Sequence, residues 1–270
     1  MKRFLALSVL AGLAVATAAA GGSASSVRHA PRIKGSTNST SSNWSGYAAT
    51  SPTPFTDVKG SWIQPTANCS STTGSPTQGP GNGKGAGNGH GSGGGGKTQN
   101  TYASFWVGLD GDSSNTVEQT GTDADCNGTT AVYYGWYEFY PAFPVNFSDP
   151  IRPGDSMSAE VSVSGATVTI TLHDATRGWT EHASQANQGY ALASAEWIAE
   201  APSSGKVLPL ANFGTVTFTG ASATGGGTTG SISRFAYDPI MMATSSGQTK
   251  AAPSGLSAGG SSFSVTWSHS

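Results

Sequence analysis

The chain has 270 residues, of which 38 are glycine and only 10% are charged, with thirteen basic and fifteen acidic side chains and two cysteines. Five of the basic residues (Lys2, Arg3, Arg28, Arg32, Lys34) precede Ser41, which leaves residues 41–270 with eight basic against fifteen acidic side chains, a net of minus seven. An acidic body argues against nucleic acid or an anionic membrane as partner. Abundant Thr, Ser, Val and aromatic residues point to strands and turns rather than helices.

Met1, Lys2 and Arg3 followed by "FLALSVLAGLAVATAAA" form a basic n-region, an apolar h-region and small residues near Ala18 to Ala20. Residues 1–20 therefore read as a secretory signal peptide, and an exported protein without a membrane anchor is expected. Residues 21–40, with "SVRHAPRIKGS", read as a short basic propeptide, attracted to the acidic body at neutral pH and released as its acids protonate, or as a plain linker. Residues 41–270 have a length ordinary for one all-β domain.

"NWSGYAAT" to "WIQP" (residues 43–65) reads as two strands, and a Gly-rich insert at about 66–100 reads as a flexible surface loop. Strand signals then recur in "YASFWVGLD", "TVEQTGTD", "TAVYYGWYEFYP", "SMSAEVSV", "ATVTITLHD", "GWTEHAS", "FGTVTFTG" and "FSVTWS". Short β-branched and aromatic runs spaced by turns predict an antiparallel β-sandwich of two sheets. In "AVYYGWYEFYP", alternation sends Tyr134, Trp136, Glu138 and Tyr140 to one face and Tyr133, Tyr137 and Phe139 to the other. Two aromatic faces fit a strand between a core and a cleft floor, and they raise the question of what a single carboxylate does there. "YALASAEWIAEAP" (residues 190–202) favours helix by propensity, and its Glu196 and Glu200 would then be neighbours; on a strand they would sit about 13 Å apart. Cys69 and Cys126 in an exported chain are expected to pair, although the sequence leaves separate thiols open.

Most catalytic templates fail. There is no HExxH, no paired CxxC and no phosphate-binding glycine loop, so neither metal nor cofactor is expected. "GLSAG" (residues 255–259) lacks the strand and helix of a nucleophile elbow, and "DADCNG" (residues 123–128) has Tyr134 where a calcium loop needs Glu.

Four motifs stand in order: "NWSGY", "FWVGLDGDSSNTVEQTGTD", "WYEFYP" and "AEWIAEAP". In these the chain resembles the glutamic peptidases, or eqolisins, of the scytalidoglutamic peptidase type. The resemblance implies an acid-acting endopeptidase on a two-sheet sandwich, with a metal-free dyad that falls on Gln119 and Glu200. Trp106, Asp110, Asp123, Trp136, Glu138 and Tyr140 match positions that line or support the family's cleft, with Glu138 as a wall residue and Glu196 as a supporting acid beside it. The chain departs from the pattern at Tyr134, where members carry Asp, and at Ala124, where they carry an aromatic. The expected partner is extended polypeptide, and the expected state a monomer. An exported carbohydrate-binding sandwich or glycoside hydrolase, with Trp106, Trp136 and Tyr140 stacked on sugars, is the alternative. At an ordinary Glu pKa of about 4.3, proton exchange by Glu200 is easiest in mild acid.

Overall fold

The computed structural model describes residues 27–35, 39–70, 99–112 and 114–270. The expected signal peptide and most of the Gly-rich insert lie outside them. Among the described residues sixteen strands follow in chain order: β1 (Thr40–Ser41), β2 (Trp44–Thr50), β3 (Phe55–Ile63), β4 (Ser104–Leu109), β5 (Val117–Asn127), β6 (Thr130–Tyr140), β7 (Val145–Asn146) and β8 (Ser156–Ser164). Next come β9 (Thr167–Asp174), β10 (Trp179–Ala186), β11 (Ser194–Glu200), β12 (Thr215–Gly225), β13 (Thr228–Ser231), β14 (Ala236–Ala243), β15 (Thr249–Pro253) and β16 (Phe263–Trp267).

They form two antiparallel sheets that share one strand. The first runs β14-β2-β11-β4-β5-β6-β7 and the second β10-β9-β8-β3-β12-β16-β15-β14. The change of sheet happens inside β14, whose first residues (Ala236 to Ile240) pair with β2 while Met242 and Ala243 pair with β15 across a register shift.

Alternation explains the layers. In β9, Val168, Ile170 and Leu172 are buried while Thr169, Thr171 and His173 are not. The inward residues share one apolar core with Phe105, Val107, Leu109, Trp197 and Phe139 from the other sheet and with Trp62 and Phe218 from β3 and β12. A two-residue period lets each strand give one face to this core and keep the other. At the outer edge β10 buries none of its residues and carries Thr, Glu, His and Gln, which discourages edge-to-edge pairing.

The segment with helical propensity is a strand. Every residue of β11 is buried, and β2 and β4 pair with it on its two sides. Two complete ladders and two packed faces outweigh a propensity worth tenths of a kcal/mol per residue. Sequence reading also passed over β14 and β15, because "YDPIMMATSSGQTKAAP" mixes proline and turn residues with short apolar runs. Cys69 and Cys126 are joined as a disulfide with a Cα separation of 5.4 Å, tying the first residues of the segment expected to be a loose insert to β5.

Candidate active site

The first sheet turns its second face away from the core. Register places Glu200, Ser104, Asp123 and Tyr134 in one cross-strand row on β11, β4, β5 and β6, and Ile198, Trp106, Gly121 and Trp136 in the next. A third row carries Glu196, Gly108, Gln119 and Glu138. Trp44, Ala48, Trp106, Val117, Trp136, Ile198 and Ile240 form a second apolar cluster there, with Tyr134 and Tyr140 packed against it. Gln119 and Glu200, 81 residues apart in sequence, thus share one face three strands wide.

Two glycines make room for this arrangement. A Cβ at Gly121 would lie 2.1 Å from the Phe105 carbonyl oxygen and 2.5 Å from the Trp106 Cβ; one at Gly108 would lie 3.0 Å from both the Gln119 Cβ and the Trp106 ring. The bare backbone lets the Trp106 indole lie across the strands. From there its Nε1 donates to Glu200 Oε2 at 2.9 Å. On the neighbouring strand, the Trp136 Nε1 donates to Asp123 Oδ1 at 2.6 Å.

The cleft on this face is filled by residues 27–35 of the same chain. The Arg28 and Ser203 backbones exchange two hydrogen bonds of 2.8 Å, and the Arg32 N–H donates to the Gly111 carbonyl at 3.0 Å. Between these anchors, Gln119 Nε2 donates to the His29 carbonyl oxygen at 2.5 Å, and the Ala30 N–H donates to Glu200 Oε1 at 3.1 Å. Oxygen and nitrogen belong to one peptide bond. The Trp44 Nε1 and Asn43 Nδ2 donate to the next carbonyl, that of Ala30, at 3.0 and 3.2 Å. Asn43 Nδ2 also reaches Glu200 Oε1 at 3.5 Å.

The His29 ring stacks on Trp136 with centroids 3.4 Å apart and planes 1° apart. Its Nδ1 lies 3.1 Å from Glu138 Oε2 and its Nε2 3.5 Å from Asp123 Oδ1. Burial alone would pull this imidazole down, but Asp123 and Glu138 dominate and raise it to about 10. Glu138 Oε2 also accepts the His29 backbone N–H at 2.9 Å and Gln119 Nε2 at 3.4 Å. The carboxylate among the aromatic rings therefore has two tasks, holding a cation and turning the NH2 of Gln119 toward the His29 carbonyl.

Beneath residues 29 and 30, Glu200 is fully buried. Burial pushes its carboxyl up to about 8, helped by Glu138 and Asp123 and opposed by His29 and the Trp106 bond. The covered carboxyl thus departs from the ordinary pKa expected from sequence.

Two other expected site residues stand apart from the dyad. Asp110 lies just past β4 in a left-handed conformation (φ 69°), and its oxygens accept the N–H groups of Leu192 and Ala193, both at 2.7 Å. It braces a loop rather than lining the groove. Glu196 faces the same side as Glu200 but four residues along a strand, about 13 Å away and outside the roughly 5 to 9 Å of glycosidase carboxyl pairs. It belongs to an acidic group with Asp112, Asp110 and Glu118. Burial raises Glu196 well above the usual carboxylate range, and burial with the neighbouring Asp110 raises Glu118 to about 9. At the Tyr134 departure, the phenol donates to Asp125 at 2.8 Å, and burial together with Asp123 holds Asp125 well above its usual value.

Sequence reading missed four contributors. Asn43 and Trp44 lie in a motif already singled out, so only their geometry was wanting. His29 and Arg32 lie in the basic stretch, and alternation cannot say where a segment without periodicity docks.

Comparison with known proteins agrees with this geometry. Residues 42–267 match the peptidase A4 family. Aspergillopepsin-2 of Aspergillus niger is 36% identical over 206 residues, covering 73% of this chain and 70% of its own length. Among solved structures, a scytalido-glutamic peptidase bound to a peptide-based transition state analogue superposes with a TM-score of 0.64, covering 84% of this chain and 98% of its own, and at 24% identity it supports the fold alone. The aspergilloglutamic peptidase from Aspergillus niger superposes with a TM-score of 0.56 at 32% identity, covering 62% and 99% respectively. A two-sheet sandwich, four ordered motifs and these similarities agree: the chain belongs to the peptidase A4 family, the glutamic endopeptidases.

Proposed function

We propose that this protein is an exported, acid-acting endopeptidase that hydrolyses extended polypeptides as a monomer, with Glu200 and Gln119 as its dyad and no metal. Amide hydrolysis needs a deprotonated water, a stabilised oxyanion and a protonated leaving nitrogen. Glu200 as carboxylate takes a proton from water and as acid returns it to the nitrogen. The Gln119 NH2 donates to the carbonyl oxygen as its charge develops, an interaction worth about 3 to 4 kcal/mol in comparable sites. Glu138 orients that amide, Trp106 and Asn43 hold Glu200, and Trp136 and Tyr140 offer apolar surface to side chains.

The observation that carries this reading is one amide held from both ends: its oxygen against Gln119 and its nitrogen against Glu200. Those are the two atoms on which charge and a proton must arrive. Export rests on the sequence of residues 1–20, and the Cys69–Cys126 bridge suits an oxidising compartment.

The pH dependence follows from what covers Glu200. Once residues 27–29 leave, water returns to the carboxyl and relieves the burial that is the largest influence raising it, while the lowering by the His29 charge leaves with the segment. Activity on a protein substrate is expected to peak below about pH 5, measured as a pH profile on denatured casein with a chelator present. A neutral optimum, or full loss of activity to the chelator, would refute the reading.

A further inference from the structure

We infer that residues 27–35 sit in the cleft as a substrate does, that the protein cuts its own His29–Ala30 bond, and that Trp136, Asp123 and Glu138 form the subsite selecting a flat cationic side chain on the acyl side of that bond. This rests on the proposed dyad and extends it to a cleavage site and a specificity.

The placement is that of a bound peptide along its whole length. Upstream of the bond, Arg28 pairs backbone to backbone with Ser203, its guanidinium donates to the Pro141 carbonyl at 2.8 Å, and it lies 3.7 Å from the centre of the Phe143 ring. Downstream, Arg32 forms ion pairs with Asp112 at 2.6 Å and Asp238 at 2.8 Å, and the Ile33 N–H meets Asn43 Oδ1 at 2.8 Å. Backbone bonds on both sides of a central amide are how extended peptides are held in register. Among the described residues, the His29–Ala30 amide alone touches both Gln119 and Glu200.

The pocket around His29 suits imidazolium better than other side chains. An indole face at 3.4 Å accepts a planar ring, and one carboxylate faces each ring nitrogen. An apolar ring there would leave Asp123 and Glu138 buried without a cation, and an acidic side chain would add a third negative charge.

Protonating the groups at the central amide does not eject this segment. The charged groups facing His29 are Asp123 and Asp125 on β5, Glu138 on β6 and Glu200 on β11. His29 is raised from 6.5 to about 10, so its contribution to docking is fully present below pH 6.5 and is lost as pH rises through 10. Glu200, raised from 4.5 to about 8, has the same sign: its contribution is present below 4.5 and lost as pH rises through 8. Both groups tighten docking as protons are added. Covalent cutting is then the route out.

The step balances with one water. Its oxygen bonds to the His29 carbonyl carbon, the bond from that carbon to the Ala30 nitrogen breaks, and one water proton passes through Glu200 to the nitrogen. A carboxyl is left on His29 and an amine on Ala30.

The test starts from the chain beginning at residue 21, purified at neutral pH, shifted to pH 4 and followed by intact mass and N-terminal sequencing. A new N-terminus at Ala30 is expected, with an initial rate per molecule unchanged over a hundred-fold dilution and no such product from Glu200→Gln. A different N-terminus, a rate proportional to concentration, or an intact chain that digests casein would overturn the inference while leaving the peptidase reading in place. A double variant, His29→Ala with Arg32→Ala, separates the remaining case. If the parent chain stays intact and inactive while the double variant digests casein, the segment is an uncut inhibitor and the inference fails; if neither digests casein, the peptidase reading itself fails. With processed enzyme, peptides differing only at the acyl-side residue should show at least about ten-fold higher kcat/KM for His than for Leu, and Asp123→Asn should lower that ratio several-fold. Equal kcat/KM for the two peptides would overturn the assigned subsite.

Discussion

The two faces of the β2-β11-β4-β5-β6 sheet share the same strands and nearly the same dryness, yet they are dry for different reasons. The inner face carries Phe105, Val107, Leu109, Phe139 and Trp197 against a second sheet. The outer face carries three tryptophans, Gln119 and the carboxyls of Asp123, Glu138, Glu196 and Glu200, all buried, and over the dyad it is the chain's own residues 28–32 that exclude water. Burial of apolar groups on one face stabilises the fold. Burial of Glu196 and Glu200 on the other is a strained condition that raises their pKa values and that a reaction can use.

The largest effects should appear when the dyad is altered. Gln119→Ala and Glu200→Gln are each expected to lower casein turnover at acid pH by at least about a thousand-fold while leaving the thermal midpoint within a few degrees. Full activity in the Glu200 variant would end the proposed mechanism. The inner face should respond in the opposite sense: Trp197→Ala is expected to cost about 3–5 kcal/mol of stability in denaturant unfolding, because it empties a fully buried site. Gly121→Ala should disturb both faces together, lowering stability and activity, since its methyl has nowhere to go at 2.1 Å from the Phe105 carbonyl.

A smaller effect sharpens the contrast through pH. Glu118, raised from 4.5 to about 9, contributes stability that is full below pH 4.5 and lost as pH rises through 9, and Glu196 is raised in the same direction. Calorimetry should find the thermal midpoint higher at pH 4 than at pH 8, by on the order of 10 °C, with Glu118→Gln and Glu196→Gln each flattening the difference. A midpoint rising with pH would show that those carboxyls are not the neutral groups described. The mildest expected change is Glu138→Gln, which keeps an oxygen acceptor for the Gln119 amide and should leave measurable turnover.

Much of this could be read from residues alone. Alternation in "AVYYGWYEFYP" correctly divided Tyr133, Tyr137 and Phe139 from Tyr134, Trp136, Glu138 and Tyr140, because the two-residue period of a strand is local and obligatory. The segment from Tyr190 to Pro202 misled by propensity, since pairing on both sides is a property of β2 and β4 rather than of its own residues. Asp110 stood inside a strong motif yet serves the Leu192 and Ala193 amides, a contact 82 residues away that no spacing rule encodes.

Taken by itself, the sequence determined the strand class and the sidedness of the strand within residues 131–141, which follow from short-range stereochemistry, while the residues of the dyad were legible only through the four motifs shared with a family. Only the tertiary structure decided how deeply the acids of the outer face are buried, that Arg32 pairs with Asp112 and Asp238, and that the His29–Ala30 amide lies between Gln119 and Glu200. The reason is physical: pKa, docking and catalytic geometry depend on what comes within a few ångströms from distant parts of the chain, and a sequence read along its length carries no such distances.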